Sequence, residues 1–181
     1  MIKKNVFVFC TFLILSNATA QTMAWKEQVN LEGKFRINAP GELVEKVSKM
    51  KTAIGESAYH AFVFKPTEQK PENVFYIVNY VDYPQGTFPK DSTELITEFF
   101  NVTIENSVIG VKGKLLYESD VLLGVHKGKI WRVGYNQGNV FIKSKCFLVE
   151  NRFYMIQTMT MKDKSMNLAA DQFLDSFQVL E

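Results

Sequence analysis

KLLYESDVLLGVHKGKIWRVGYNQGNVFIKSKCFLVENRFYMIQTMT, Lys114 to Thr160, is dense in β-branched and aromatic residues and is cut three times by short turn-forming clusters. The cuts are Gly124-Val125-His126-Lys127-Gly128, Gln137-Gly138-Asn139 and Glu150-Asn151. They leave four strand-like segments, Lys114 to Leu123, Lys129 to Tyr135, Val140 to Val149 and Arg152 to Thr160. Connections this short can join neighbouring strands only in antiparallel fashion. Nearly fifty residues therefore read as one antiparallel meander.

Upstream, Asp91-Ser92-Thr93-Glu94 has the form of a capping box, in which a side-chain oxygen accepts from free amides while Glu94 reaches back. A helix is predicted from about Ser92 to Ser107. Leu95, Ile96, Phe99, Phe100 and Ile104 recur at three- and four-residue spacing and form its buried stripe. Gly110-Val111-Lys112-Gly113 reads as the exit from that helix and not as a phosphate cradle. Earlier still lie a hairpin from Trp25 to Asn38, a polar strand around Leu43 to Lys51, and a strand from Tyr59 to Phe64. The near-continuous apolar run Val74 to Tyr83 suits a strand covered on both faces. At the other end a helix is predicted from about Lys164 to Ser176. It buries Met166, Ala169, Ala170, Phe173 and Phe177 and turns Asp171 and Asp175 to solvent. The pattern is that of an α+β protein, an antiparallel sheet with one inserted helix and one C-terminal helix.

The first twenty residues have a separate purpose. Lys3 and Lys4 precede the apolar run Val6 to Leu15, and Ala18-Thr19-Ala20 offers small residues where a signal peptidase cuts, so export with cleavage after Ala20 is expected. Residues 21–181 are then one domain of ordinary size, placed in the periplasm or outside the cell. The run is too short to span a bilayer, and no later stretch approaches the required length, so stable membrane insertion is not expected. Of 21 basic side chains two leave with the leader, so the remaining nineteen balance the 19 acidic ones. A near-neutral domain without a basic block lacks the electrostatic footprint for nucleic acid. Cys10 also leaves, and Cys146 alone can form no intrachain disulfide. Its place in an alternating strand marks it as a small core residue.

Three phrases resemble a known family: GKFRINAPG at residues 33–41, LGVHKG at residues 123–128 and FLDSF at residues 173–177. Together with the order of elements they are similar to the PsbP-like sandwich, which is shared by photosystem II extrinsic proteins, small bacterial periplasmic lipoproteins and a Ran-binding import factor. The resemblance implies a three-layer sandwich, a central antiparallel sheet with helices on both faces. None of the three phrases is catalytic, and the chain lacks the lipid-attachment cysteine of the lipoprotein members. Fold similarity in so mixed a family transfers no activity.

No cofactor motif is present, and two histidines are few for a metal site. His60 reads as a hydrogen-bonded strand residue and His126 as an exposed turn residue. Asp82 ends an apolar strand where desolvation could perturb it. Glu118 and Asp120 share a strand face but supply too few oxygens for a calcium site. Asn101-Val102-Thr103 matches a glycosylation sequon by chance, because it lies in the predicted helix. The loop Pro84-Gln85-Gly86-Thr87-Phe88-Pro89 carries aromatics suited to a protein contact, so the contact set named from sequence is Tyr83, Gln85, Phe88, His126 and Lys127. The leading expectation is a non-enzymatic accessory module that binds another envelope protein. The rivals are a small-molecule or lipid carrier with a cavity between the sheet and the first helix, and an enzyme that uses Asp82 or His126 as acid or base.

Overall fold

A computed structural model describes residues 25–52, 55–89 and 91–180. The leader expected at residues 1–20 lies outside the described residues. The strands before the first helix are β1 (Lys26–Asn30), β2 (Phe35–Ala39), β3 (Val44–Thr52), β4 (Gly55–Phe64) and β5 (Phe75–Asp82). Helix α1 (Thr93–Gly110) leads to β6 (Lys114–Leu123), β7 (His126–Tyr135), β8 (Val140–Val149) and β9 (Arg152–Met161), and helix α2 (Leu168–Asp175) and the short β10 (Gln178–Val179) close the chain. Seven strands form one antiparallel sheet in the order β3-β4-β5-β9-β8-β7-β6, so the meander folds back until β9 lies beside β5. A second sheet, β1-β2-β10, joins the opening hairpin to the C-terminus. This is an α+β fold built on a large antiparallel sheet.

Burial comes in two clusters whose members alternate along β8 and β9. Phe147, Tyr154 and Ile156 belong to the first, with Phe35 and Ile37 of β2 and with Phe173 and Leu174 of α2. Cys146, Leu148 and Phe153 belong to the second, with Trp131 of β7 and with Phe100 and Ile104 of α1. On β5 four consecutive residues, Val78 to Val81, are buried, as the near-continuous apolar run implied.

Several boundaries differ from the expectation, each for a physical reason. The five-residue turn Gly124 to Gly128 contracts to Gly124-Val125, with Leu123 paired directly to His126. Gly124, at φ 58°, supplies the positive dihedral that a two-residue hairpin turn needs at its first position. Gly128 belongs to the strand, paired with Phe147 of β8 so closely that a Cβ there would lie 2.1 Å from the Cys146 carbonyl oxygen. The capping box does not form. Ser92 sits at ψ 65°, outside the extended region a capping residue needs, and makes no side-chain bond to the helix. Leu95, one step off the axis of the Ile96–Phe100–Ile104 stripe, is 42% exposed. The C-terminal helix starts four residues later than predicted, because Asn167 caps it by accepting from the Ala170 amide at 2.8 Å. Met166, stranded before that cap, is 93% exposed and not in the core. Asp171 and Asp175 do not simply face solvent, since they pair with Lys143 and Lys145 of β8. Among the described residues, no helix is long and apolar enough to cross a membrane.

Candidate functional site

At one end of the large sheet, strand β5 stops, the β6–β7 and β8–β9 turns project, and β10 returns beside β2. These segments enclose a cleft of about 820 Å³. Its floor is built on Arg152, which the register places directly opposite Asp82. The guanidinium grips that carboxylate with two bonds, Nε to Oδ1 at 2.5 Å and Nη2 to Oδ2 at 2.7 Å. Nη1 donates to the Glu32 carbonyl at 2.8 Å, which ties the β1–β2 turn to the large sheet. The guanidinium also lies 4.7 Å from the Tyr80 ring centre, a cation–π distance. The bonds to Asp82 push the Arg152 pKa above its ordinary value. Burial pushes the Tyr80 hydroxyl up to about 12, with the Glu32 carboxylate adding and Arg152 opposing.

Backbone contacts fix the walls. The Tyr83 amide donates to the Asn151 carbonyl at 2.8 Å, and the Phe88 amide donates to Asn151 Oδ1 at 3.3 Å, so the loop after β5 is held on the β8–β9 turn. Tyr154 donates its hydroxyl to the Gly33 carbonyl at 2.8 Å. Glu150 adopts φ 55° in that turn, left-handed backbone that costs about 1 kcal/mol for a residue with a side chain. The lining mixes Lys34, His126, Arg152, Asp82 and Glu150 with Tyr83 and Val125. Among the described residues it holds no serine, threonine or cysteine.

No family model matches the chain, and no curated protein matches it. Among solved structures it is similar to the solution structure of cyanobacterial PsbP (CyanoP) from Synechocystis sp. PCC 6803. The two share 11% identity over 92% of this chain and 98% of that one, with a TM-score of 0.56. The chain has the PsbP-like fold. A second structure, the protein of unknown function PA94 from Pseudomonas aeruginosa, is 11% identical over 77% of this chain and 85% of that one, with a TM-score of 0.39, too low to support an argument.

On this PsbP-like frame the residues named from sequence separate. Tyr83, Gln85 and His126 come together in the end cleft, and Asp82 joins them. Phe88 does not offer a contact surface. It is 8% exposed and packs edge-to-face on Tyr83 and Phe99, because a loop anchored at Asn151 turns its large apolar side chain inward. Lys127 is also not part of the cleft. His126 lies in a strand and not in a turn, so successive side chains point to opposite sides, and Lys127 lines a groove beside α1 instead. Asp82 is occupied by Arg152, the residue that sequence reasoning missed. An apolar strand ending in an acid gives no sign of which strand, 70 residues later, supplies the cation.

His60 is structural. Its Nδ1 lies 2.8 Å from Glu45 Oε1, and its ring stacks on Tyr80 at 4.3 Å. Cys146 is wholly buried, and desolvation pushes its thiol up to about 12 against the opposing effect of a hydrogen bond to the Lys129 backbone. The space between Glu118 and Asp120 is taken by the Lys129 ammonium, at 3.8 and 3.0 Å.

Proposed function

We propose that the protein is an exported, non-enzymatic accessory module that docks another envelope protein through the end cleft. The observation that carries this reading is the pairing of a cleft of about 820 Å³ with two apolar turn tips beside it. Leu31, in the turn that receives the Arg152 bond, is 81% exposed, and Val125, on the cleft wall, is 88% exposed. Isolated exposed aliphatics are ordinary, but two on projecting turns beside a polar cleft have the make-up of a protein contact, an apolar anchor with a polar rim. Asp82 is committed to Arg152, which leaves the cleft better equipped to hold a partner than to move a proton.

Export rests on the leader features of residues 1–20, with which the PsbP-like fold is compatible. The same reading makes the domain a three-layer sandwich with a helix on each face of the sheet. In support, the clusters that hold α1 and α2 use alternate side chains of β8 and β9.

The test is affinity recovery from envelope extracts of the native host with the wild-type protein and with Leu31→Asp/Val125→Asp. One protein retained by wild type and released by the double variant is the expected result. Equal recovery by both contradicts the cleft as the docking site. A turnover activity of the purified protein that is lost in Asp82→Asn or His126→Ala contradicts the non-enzymatic part.

A further inference from the structure

On the side of the β6–β7 hairpin that carries Lys127, the first half of α1 leaves a second groove, of about 700 Å³, within the range of small-molecule pockets. Its lining mixes apolar Ile96, Phe100 and Leu122 with Thr97, Asp120, Lys127 and Lys129. Ile96 and Phe100 of α1 stand across from Leu122 of β6, with Phe100 only 3% exposed and Leu122 70% exposed, while Val121 turns to the opposite face and packs on the first cluster. The exposed Leu122 side chain is apolar surface that the fold has left uncovered.

The polar groups of the groove come mainly from the hairpin. Asp120 and Lys129 satisfy each other at 3.0 Å, and Glu118 adds a second carboxylate 3.8 Å from the same ammonium. Lys127 lines the groove, is exposed, and makes no ion pair among the described residues. The site therefore offers an apolar strip at Ile96 and Leu122 beside Lys127, a cation without an ion pair among the described residues.

We propose that this groove binds a single acyl chain ending in an anionic group, the chain lying between α1 and β6 and the head group pairing with Lys127. Phe99 of α1 takes no part, because it packs on Tyr83, Phe88 and Phe153. The proposal is independent of the docking reading, since the end cleft uses His126 and the groove uses its neighbour.

The experiment is displacement of a fluorescent acyl probe from the purified protein by tetradecanoate, tetradecanol and tetradecyltrimethylammonium, with dodecanoate as the shorter anion. Tetradecanoate is expected to bind about fivefold tighter than tetradecanol, the scale of one exposed ion pair. It should also bind several-fold tighter than dodecanoate, since each buried methylene is worth up to about fourfold. Lys127→Ala removes the preference for the anion, and Leu122→Asp weakens all four ligands. Both positions are exposed, so melting temperatures should stay close to wild type. If Leu122→Asp fails to fold, Lys127→Ala and the chain-length series decide alone. No displacement, equal or tighter binding of the neutral or cationic chain, or an anion preference that survives Lys127→Ala overturns the proposal. Retention on phosphatidylcholine vesicles containing phosphatidylglycerol, without uptake of monomeric tetradecanoate, overturns it as well and points to a membrane surface.

Discussion

Arg152 joins three parts of the chain through one side chain: the end of β5 at Asp82, the β1–β2 turn at the Glu32 carbonyl, and the Tyr80 ring. Arg152→Met should cost about 2 kcal/mol, the loss of charge-assisted bonds whose acidic partner can partly hydrate. Asp82→Asn should cost about 1 kcal/mol or less, because Asp82 is half-exposed and an amide keeps one acceptor. Urea unfolding of the two variants checks the order, and a larger loss in Asp82→Asn would contradict it. Cys146 gives a dependence on pH. The unfolded thiol loses its proton near its ordinary value of 9.0, while the folded one holds it to about 12. Between those values the unfolded chain binds fewer protons, so the stability contributed by the neutral thiol is intact below pH 9 and drains away as pH rises. Tyr80 acts in the same direction from pH 10 to about 12. Stability measured by urea unfolding should fall from about pH 9 upward, and Cys146→Ala should flatten the first part of that fall. An unchanged slope in that variant contradicts the assignment. At native pH the buried thiol should resist alkylation until the protein is unfolded.

At the scale of elements, β6 and β8 were legible to the residue, because each is an apolar-rich run bounded by glycine- or asparagine-bearing clusters. The small sheet was not. Two residues of β10 carry no periodic signal, and their pairing with β2 depends on where α2 delivers the chain. The site was half legible for a related reason. Tyr83, Gln85 and His126 lie next to turns, and turns at one end of a sheet gather in space. Whether Phe88 faces outward depended on its loop's bond to Asn151, 63 residues away. Helix α2 shows how its surface and its core divide the work. Asp171 and Asp175, one helical turn apart, meet Lys143 and Lys145, two residues apart on β8, because about 6 Å separates each pair of positions. These pairs are partly exposed, so a double-mutant cycle on Lys145 and Asp175 should give about 0.5 kcal/mol or less. Phe173→Ala, which empties a fully buried site touching Tyr76, should cost about 3–5 kcal/mol. Comparable losses from the two changes, measured by denaturant unfolding, would contradict the view that packing holds α2 in place.

For the whole molecule, the large sheet acts as a frame that presents different chemistry in two places. One end gathers turns around the Arg152 floor, and the flank between α1 and β6 leaves a groove with the exposed Leu122 on its edge and Lys127 beside it. The proposed non-enzymatic reading assigns binding to both. The proposed export makes a direct mass prediction. The protein isolated from the host envelope should begin at Gln21, and an intact mass that includes residues 1–20 contradicts cleavage after Ala20. The docking role itself is tested most directly by placing a photocrosslinking amino acid at Val125 and, as a control, at Val102 on the exposed side of α1. Irradiation of intact host cells should yield one defined adduct from Val125 that is absent from Val102. No adduct at Val125, or the same adducts from both positions, contradicts the account.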